Sequence, residues 1–178
     1  SLGAARFYDH DANGNLVAEV IAEGRTVSTN EYVWDRENRL AKVLHNGSVV
    51  EECWYDGMGR RLAKREVVNG QTNEVQYLWD GWSVVAVLDG QGGLLEFYTR
   101  GLGIAGDIGT IVAETRFSAG SRTNTYYYHC NHRGDITTVR SGTNTVAEYD
   151  YAPFGEVRSY SGSYSARFRF SSKEYDQA

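Results

Sequence analysis

The sequence predicts an all-β protein made of consecutive antiparallel hairpins, and three observations carry that prediction. Glycine occurs twenty times, proline once, and aromatic residues make up 13% of the chain. Glycine supplies positive-φ turn positions, while tyrosine, tryptophan, valine and threonine suit a pleated, half-buried surface. No stretch keeps apolar residues at three-and-four spacing across the roughly 11 residues that a helix signal requires. Finally, an aromatic–aspartate dipeptide keeps returning, as Tyr8-Asp9, Trp34-Asp35, Tyr55-Asp56 and Trp79-Asp80, at spacings of 26, 21 and 24 residues.

The residues after each dipeptide give the unit its shape. Asn13-Gly14-Asn15-Leu16, Glu37-Asn38-Arg39-Leu40 and Met58-Gly59-Arg60-Arg61-Leu62 are turn residues leading into an apolar start. Aspartate bonds its own backbone two residues on, and Gly or Asn accepts positive φ, so Asp-x-x-Gly or Asp-x-x-Asn reverses the chain. Residues 40–44 then run out as a strand, Asn46-Gly47 makes a two-residue hairpin turn, and residues 49–55 return. Residues 61–67, the turn Asn69-Gly70 and residues 74–79 repeat the scheme. A lone hairpin cannot bury its apolar face, whereas stacked ones lend their faces to each other. The repeating aromatics are expected to line up on one face as a ladder of cross-strand pairs.

Charge and composition exclude several classes. Lys+Arg 18 against Asp+Glu 23 leaves a net charge of -5, without the basic stripe that a nucleic-acid binder uses to release counterions. The longest apolar run, residues 84–88, is far short of the roughly 20 residues of a membrane-spanning helix, and residues 1–6 lack the pattern of a secretion signal. Two cysteines, Cys53 and Cys130, are too few for a disulfide-dense scaffold and read as separate buried thiols. Gly101-x-Gly103-x-x-Gly106 lacks the strand–turn–helix context of a dinucleotide loop and reads as an irregular connection.

The C-terminal third carries a more specific pattern. It runs from Tyr126-Tyr127-Tyr128-His129-Cys130-Asn131-His132-Arg133-Gly134-Asp135 through Tyr149-Asp150-Tyr151-Ala152-Pro153-Phe154-Gly155 to Phe168-Arg169-Phe170-Ser171-Ser172-Lys173-Glu174-Tyr175-Asp176. This resembles the core region of the Rhs/YD-repeat family, large bacterial surface and polymorphic-toxin proteins related to toxin-complex cocoons and teneurins. The upstream aromatic–Asp units resemble its YD repeats. The signature residues are Tyr8, Asp9, Trp34, Asp35, Tyr55, Asp56, Trp79, Asp80, His132, Gly134, Tyr149, Asp150, Tyr151, Pro153, Phe154, Gly155, Phe170 and Asp176. The chain departs from the pattern at Asn131 and Ala152, where Asp is usual or common, and at Ser172, where Gly is usual.

The resemblance implies YD hairpins over residues 1–100, a glycine-rich connection and hairpin over 101–125, and a core-like segment over 126–178. It implies an elongated, curling sheet or partial β-shell that encloses a C-terminal polypeptide, in a parent protein that is secreted or surface-displayed. The family's Asp-Pro-x-Gly cleavage motif lies beyond the last matched residues. The segment is therefore expected to be a non-catalytic scaffold without cofactor or metal. Its expected partners are the rest of its own chain, an enclosed polypeptide and, through open sheet edges, a second copy.

Sharper readings compete at a few positions. His129, Cys130 and His132 invite a metal reading, but strand alternation separates their faces and a closed zinc site takes four ligands. Asp107, Asp135 and Asp150 lack the Asp-x-Asp-x-Asp spacing of a calcium loop and read as turn formers. Trp34, Trp54, Trp79 and Trp82 would suit a sugar-stacking platform, and a carbohydrate- or cell-surface-binding module is the second reading of the chain. An autoproteolytic part of a toxin precursor is the third. Asn46-Gly47-Ser48 also matches a glycosylation sequon, where the hairpin turn is the simpler reading.

Overall fold

A computed structural model describes residues 4–101 and 110–175, and these form one 14-stranded antiparallel sheet whose strands succeed each other in chain order. The strands are β1 (Ala5–His10), β2 (Leu16–Glu23), β3 (Thr26–Trp34), β4 (Leu40–His45), β5 (Ser48–Tyr55), β6 (Arg61–Val68) and β7 (Gln71–Asp80). They continue with β8 (Ser83–Asp89), β9 (Leu94–Arg100), β10 (Ile111–Ser118), β11 (Ser121–Cys130), β12 (Ile136–Ser141), β13 (Asn144–Tyr151) and β14 (Val157–Gly162). A single 3₁₀ turn at Phe170–Ser172 is the helical content among the described residues. Gly103, Gly106 and Asp107 of the glycine-rich connection, and Asp176 of the signature, lie outside the described residues. No helix of the described residues is long and apolar enough to cross a membrane.

Two kinds of turn join the strands. The short kind has two residues, and in three of its members both take positive φ: Asn46 (φ 49°) with Gly47 (φ 76°), Asn69 (φ 52°) with Gly70 (φ 75°), and Ala119 (φ 48°) with Gly120 (φ 75°). Positive φ at both central positions is the type I′ geometry, whose twist matches that of the flanking strands.

The long kind spans residues 11–15, 35–39, 56–60, 89–93, 131–135 and 152–156. In all six, the first residue's N–H donates to the carbonyl of the fifth, and its own carbonyl accepts the N–H of the fourth. The fourth residue is left-handed in every case: Gly14, Asn38, Gly59, Gly92, Gly134 and Gly155. A register shift precedes each, as at Val33/Trp34, Trp54/Tyr55 and Asp150/Tyr151. Each long turn is thus a bulge followed by a five-residue loop, and at Trp34, Tyr55 and Tyr151 the bulge aims the aromatic that precedes the loop.

By compactness the chain divides after Gln76. In the first unit the buried positions are few and mostly polar: Glu19, Val43, Glu51, Cys53 and Lys64. The second unit has a true core, with Val84, Val87, Tyr98, Ile111, Tyr128, Ile136, Val139, Ala147, Tyr149, Tyr151, Tyr164, Ala166 and Phe168 buried. Three of these, Tyr164, Ala166 and Phe168, come from the segment after β14, which supplies the second layer that a single sheet lacks.

Candidate functional site

Two features stand out once the strands are placed: a stitched row of long turns, and a strap of residues 163–175 tied over the sheet of the second unit.

The row is built by the repeating dipeptide. Asp35 Oδ1 accepts the N–H groups of Glu37 (2.8 Å) and Arg39 (3.0 Å), while Asp35 Oδ2 takes the Arg39 Nε at 2.7 Å. Asp56 repeats this with Met58, Arg60 and the Arg60 Nε, again at 2.7 Å. The turn backbone and, after it, the fifth residue's guanidinium hold both carboxyls below the usual aspartate range; desolvation opposes them and loses.

The aromatic before each aspartate then reaches back to the preceding unit. Trp34 Nε1 donates to the Leu16 carbonyl, and Tyr55 Oη donates to the Leu40 carbonyl, both at 2.8 Å. Arg39 runs the other way, donating Nη1 to the Asp56 carbonyl at 3.0 Å, with its guanidinium 4.9 Å from the Tyr55 ring centre. The expected aromatic ladder therefore needs a correction. These aromatics recur in line, but hydrogen bonds to main-chain carbonyls join the units; among the described residues no ring–ring pair links Trp34 to Tyr55.

Two of the four dipeptides do not build turns. Among the described residues Asp9 accepts only the N–H of its neighbour His10, and the turn is formed two residues later by Asp11, whose Oδ1 takes the Asn13 and Asn15 N–H groups at 2.9 Å. Asp80 closes β7 ahead of the short turn at Gly81, and Asp89 makes the next long turn, accepting from Gln91 (2.9 Å) and Gly93 (2.7 Å). The residues before Asp11 and Asp89 are His10 and Leu88, so a search for aromatic–Asp pairs passes over them.

The strap is held by three carboxylates of the sheet. Arg167 donates Nε and Nη2 to the two Glu96 oxygens at 2.8 and 3.1 Å, and its Nη1 to Glu174 Oε1 at 3.2 Å; Tyr77 Oη also donates to Glu174, at 2.7 Å. Burial pushes the Glu96 carboxyl up, but the Arg167 fork outweighs it and the net shift is downward. The fully buried Glu114 accepts the hydroxyls of Tyr128 and Tyr164 on one oxygen and the Arg116 Nε at 2.5 Å on the other. Burial, then the Glu114 charge, pushes both tyrosines well above their ordinary range. Asp135 Oδ1 takes the Ser171 N–H at 2.9 Å, and Ile136 N–H donates to the Arg169 carbonyl at 3.1 Å.

Apolar contacts complete the strap. Phe168 meets the Tyr98 ring edge-on, with centroids 5.0 Å apart, and Phe170 packs on Tyr151 at 5.7 Å. Phe170 Cδ1 lies 2.8 Å from where a Cβ on Gly155 would stand, which together with φ +95° makes glycine obligatory there.

The tightest approach is at Gly162, φ +123°, where a Cβ would sit 2.2 Å from the Val146 carbonyl as the chain leaves β14 to become the strap.

The same architecture recurs among known proteins. No family model matches the sequence. A tRNA3(Ser)-specific nuclease WapA of Bacillus spizizenii is 27% identical over 174 residues, and the tRNA nuclease WapA of Bacillus subtilis is 28% identical over 174 residues. Each match takes in 94% of this chain but 7% of the relative. The TcdB2-TccC3 crystal structure superposes with a TM-score of 0.60 at 16% identity, over 96% of this chain and 11% of that one. The Photorhabdus luminescens Tc holotoxin pore gives 0.60 and 16% over 97% and 11%. TccC3 is an Rhs/YD-repeat protein. The chain is similar in sequence pattern and in fold to Rhs/YD-repeat proteins.

The departures from the Rhs/YD pattern now have physical accounts. Asn131 does the work of the usual aspartate: its Oδ1 accepts the Arg133 (2.9 Å) and Asp135 (3.1 Å) N–H groups, and its Nδ2 donates to Asp135 Oδ2 at 2.7 Å. Asparagine and aspartate have exchanged ends of the turn. At Ala152 the loop backbone persists without a side-chain cap, and Tyr151 Oη still donates to the Ile136 carbonyl at 2.8 Å. The turn aromatic of that unit is thus Tyr151; Asp150 is exposed on β13, and Tyr149 accepts the Ala166 N–H on its hydroxyl at 2.8 Å. Ser172 has φ 52°, the conformation that favours the family's glycine, and its Oγ donates to the Gly134 carbonyl at 3.0 Å.

Other predicted positions play plainer parts. Tyr8 is exposed on β1, Pro153 and Phe154 form an exposed loop tip, and His132 is exposed in its turn, as is His129 on β11. Among the described residues no group of three or more His, Cys, Asp or Glu is placed to share a metal ion. Cys53 and Cys130 form no disulfide; Cys53 is buried, its thiol donating to Glu51 Oε1 at 3.3 Å, whereas Cys130, expected to be buried, is half-buried. Of the four tryptophans, Trp34 is tied to Leu16, Trp54 lies under the Arg65 guanidinium at 5.2 Å, Trp79 is half-buried and Trp82 is exposed. Sequence reasoning passes over Glu96, Glu114, Tyr164 and Arg167, because an acidic residue at an inward strand position gives no signal of the partner that neutralises it.

Proposed function

We propose that this chain is a structural segment of an Rhs/YD-repeat shell: its hairpins add wall, and residues 126–178 contribute closure around an enclosed C-terminal polypeptide. It carries no catalysis of its own. The observation that carries this reading is the strap, whose Tyr164, Arg167, Ser172 and Glu174 side chains hold the chain against the sheet and its turns. Among the described residues, every buried side-chain nitrogen and oxygen has a hydrogen-bond partner, which suits a supporting wall better than a reactive centre. The nuclease activity in the relatives' names belongs to whole proteins, of which the matched part is 7%. The outer strands β1 and β14 each have a sheet neighbour on one side, an arrangement that suits continuation into further repeats or pairing with a second copy.

The test is limited proteolysis of the full parent protein, secreted or displayed as the family resemblance implies. Its C-terminal polypeptide should resist digestion in the wild type and become sensitive when Arg167→Ala loosens the strap. Equal sensitivity in the two would refute closure. Cleavage of tRNA by the 178-residue chain alone would refute the non-catalytic role.

A further inference from the structure

The chain holds three Asn-Gly pairs, and the fold treats them differently. Asparagine before glycine is where a main-chain nitrogen most readily attacks a side-chain amide, since glycine has no Cβ to shield its N–H. At Asn13-Gly14 the attacking nitrogen is occupied: Gly14 N–H donates to the Asp11 carbonyl at 3.0 Å, and the Asn13 amide donates to Asn38 Oδ1 at 3.2 Å. At Asn46-Gly47 the target amide is clamped: Oδ1 accepts the Thr29 N–H at 2.9 Å, Nδ2 donates to His45 Nε2 at 3.1 Å, and the Asn46 N–H donates to the Thr29 carbonyl at 2.8 Å.

Among the described residues neither clamp is present at Asn69-Gly70. The reason lies in the register: the last rung between β5 and β6 is Glu51↔Glu66, so beyond Glu66 strand β6 has no rung to β5 and is paired to β7 through Val67↔Thr72 and Val68↔Gln71. Residues 67–73 are all exposed, and no atom comes within 4 Å of a Cβ built on Gly70. The geometry points to Asn69 as a spontaneous modification site, at which the folded chain converts its amide to an acid while the other two pairs are protected.

The Gly70 nitrogen loses its proton to base and bonds to Asn69 Cγ. The Cγ–Nδ2 bond breaks and ammonia leaves with that proton, closing a five-membered imide. Water then opens the imide at either carbonyl, giving aspartate or isoaspartate, with no change of oxidation state. Aspartate keeps the hairpin, because Asp-Gly suits the same turn. Isoaspartate inserts an extra carbon into the main chain, which the two-residue loop cannot absorb, so the rungs Val68↔Gln71 and Val67↔Thr72 are lost.

The test is to hold the 178-residue chain at mildly alkaline pH, folded and in urea, and to monitor each Asn-Gly peptide by mass spectrometry with separation of the isoaspartyl form. In the folded chain, conversion at Asn69 should run several-fold ahead of Asn46 and Asn13, and urea should bring the three rates together. Conversion at Asn46 or Asn13 as fast as at Asn69 in the folded chain would overturn the inference. An Asn69 lead that persists unchanged in urea would do so too, since local sequence rather than the fold would then set the ranking.

Discussion

Tyr55 donates its hydroxyl to the carbonyl of Leu40, the first residue of the strand before its own, and Tyr151 does the same to Ile136 at the start of β12. Trp34 reaches Leu16 with its indole N–H in the same relation. In these three units the aromatic of the repeat is a stitch between successive turns. Replacing Tyr55 or Tyr151 by phenylalanine keeps the ring and removes the stitch. A hydrogen bond of this kind contributes about 0.5–1.5 kcal/mol net, and more when the abandoned carbonyl stays out of water. Urea titration should place Tyr151→Phe, at the buried site, beyond Tyr55→Phe in destabilisation; equal midpoints with wild type would dismiss the stitch as incidental.

The exchange of Asp for Asn at position 131 gives a rule for the turns. The loop needs an oxygen that accepts two main-chain N–H groups, and a charge is secondary. Asp56→Asn should therefore melt close to wild type, while Asp56→Ala, which leaves the Met58 and Arg60 N–H groups without their acceptor, should melt lower. Thermal scans of the pair decide it: an Asn variant as damaged as the Ala variant would make the Arg60 ion pair the essential part.

The legibility of the fold in the sequence depends on range. The strands at 40–44, 49–55 and 61–67 and the turns at Asn46-Gly47 and Asn69-Gly70 are readable because turn chemistry is local: Gly, Asn and Asp fix φ within four residues. The two misplaced turns, at Asp9 and Asp80, show the limit. The aromatic–Asp dipeptide looks like the repeating unit, whereas the loop itself is defined by a left-handed fourth residue, which Gly14 and Gly92 supply. The strap is beyond reach for a different reason. Its anchors Glu96 and Arg167 are 71 residues apart, and nothing near either one encodes the other.

That anchor pair is the most exacting part of the strap. Removing one partner of a mostly buried, bidentate ion pair leaves the other charge uncompensated, at a cost of about 3–5 kcal/mol, while replacing both by apolar residues of similar size is far milder. Arg167→Ala should lower the urea midpoint sharply and raise hydrogen exchange across residues 163–175. The double variant Glu96→Leu with Arg167→Met should recover much of the loss. A double variant no better than the single one would mean that the pair supplies position as well as neutralised charge.

Gly162 allows a backbone test of the same closure. With φ +123° and a Cβ 2.2 Å from the Val146 carbonyl, an alanine there meets both a strained conformation and a main-chain collision that no rotamer relieves. The strain alone is of order 1–3 kcal/mol. Gly162→Ala should disturb the exit from β14 and the Ser163 and Tyr164 N–H bonds to Val146, while Gly120→Ala, with open space at its Cβ, should show the φ penalty only. Similar midpoints for the two would mean that the chain sidesteps the collision by leaving β14 along another path.

Acid and alkali should act on different parts of the molecule. Glu96 and Asp135 are depressed in the folded chain: burial opposes the shift, and Arg167 for the one, Asn131 and the Ser171 N–H for the other, overcome it. Below their ordinary values of 4.5 and 3.8 the unfolded chain takes up protons first, so stability falls as pH drops from about 4.5 toward the folded values. Tyr128 and Tyr164 are raised instead, first by burial and then by the Glu114 charge, so above their ordinary 10.0 the unfolded chain loses protons first and stability falls as pH rises. Urea midpoints across pH should trace a plateau with both shoulders, and Tyr164→Phe should shrink the alkaline one while leaving the acid one in place. An alkaline shoulder unchanged by that substitution would separate Tyr164 from the buried network that the geometry assigns it to.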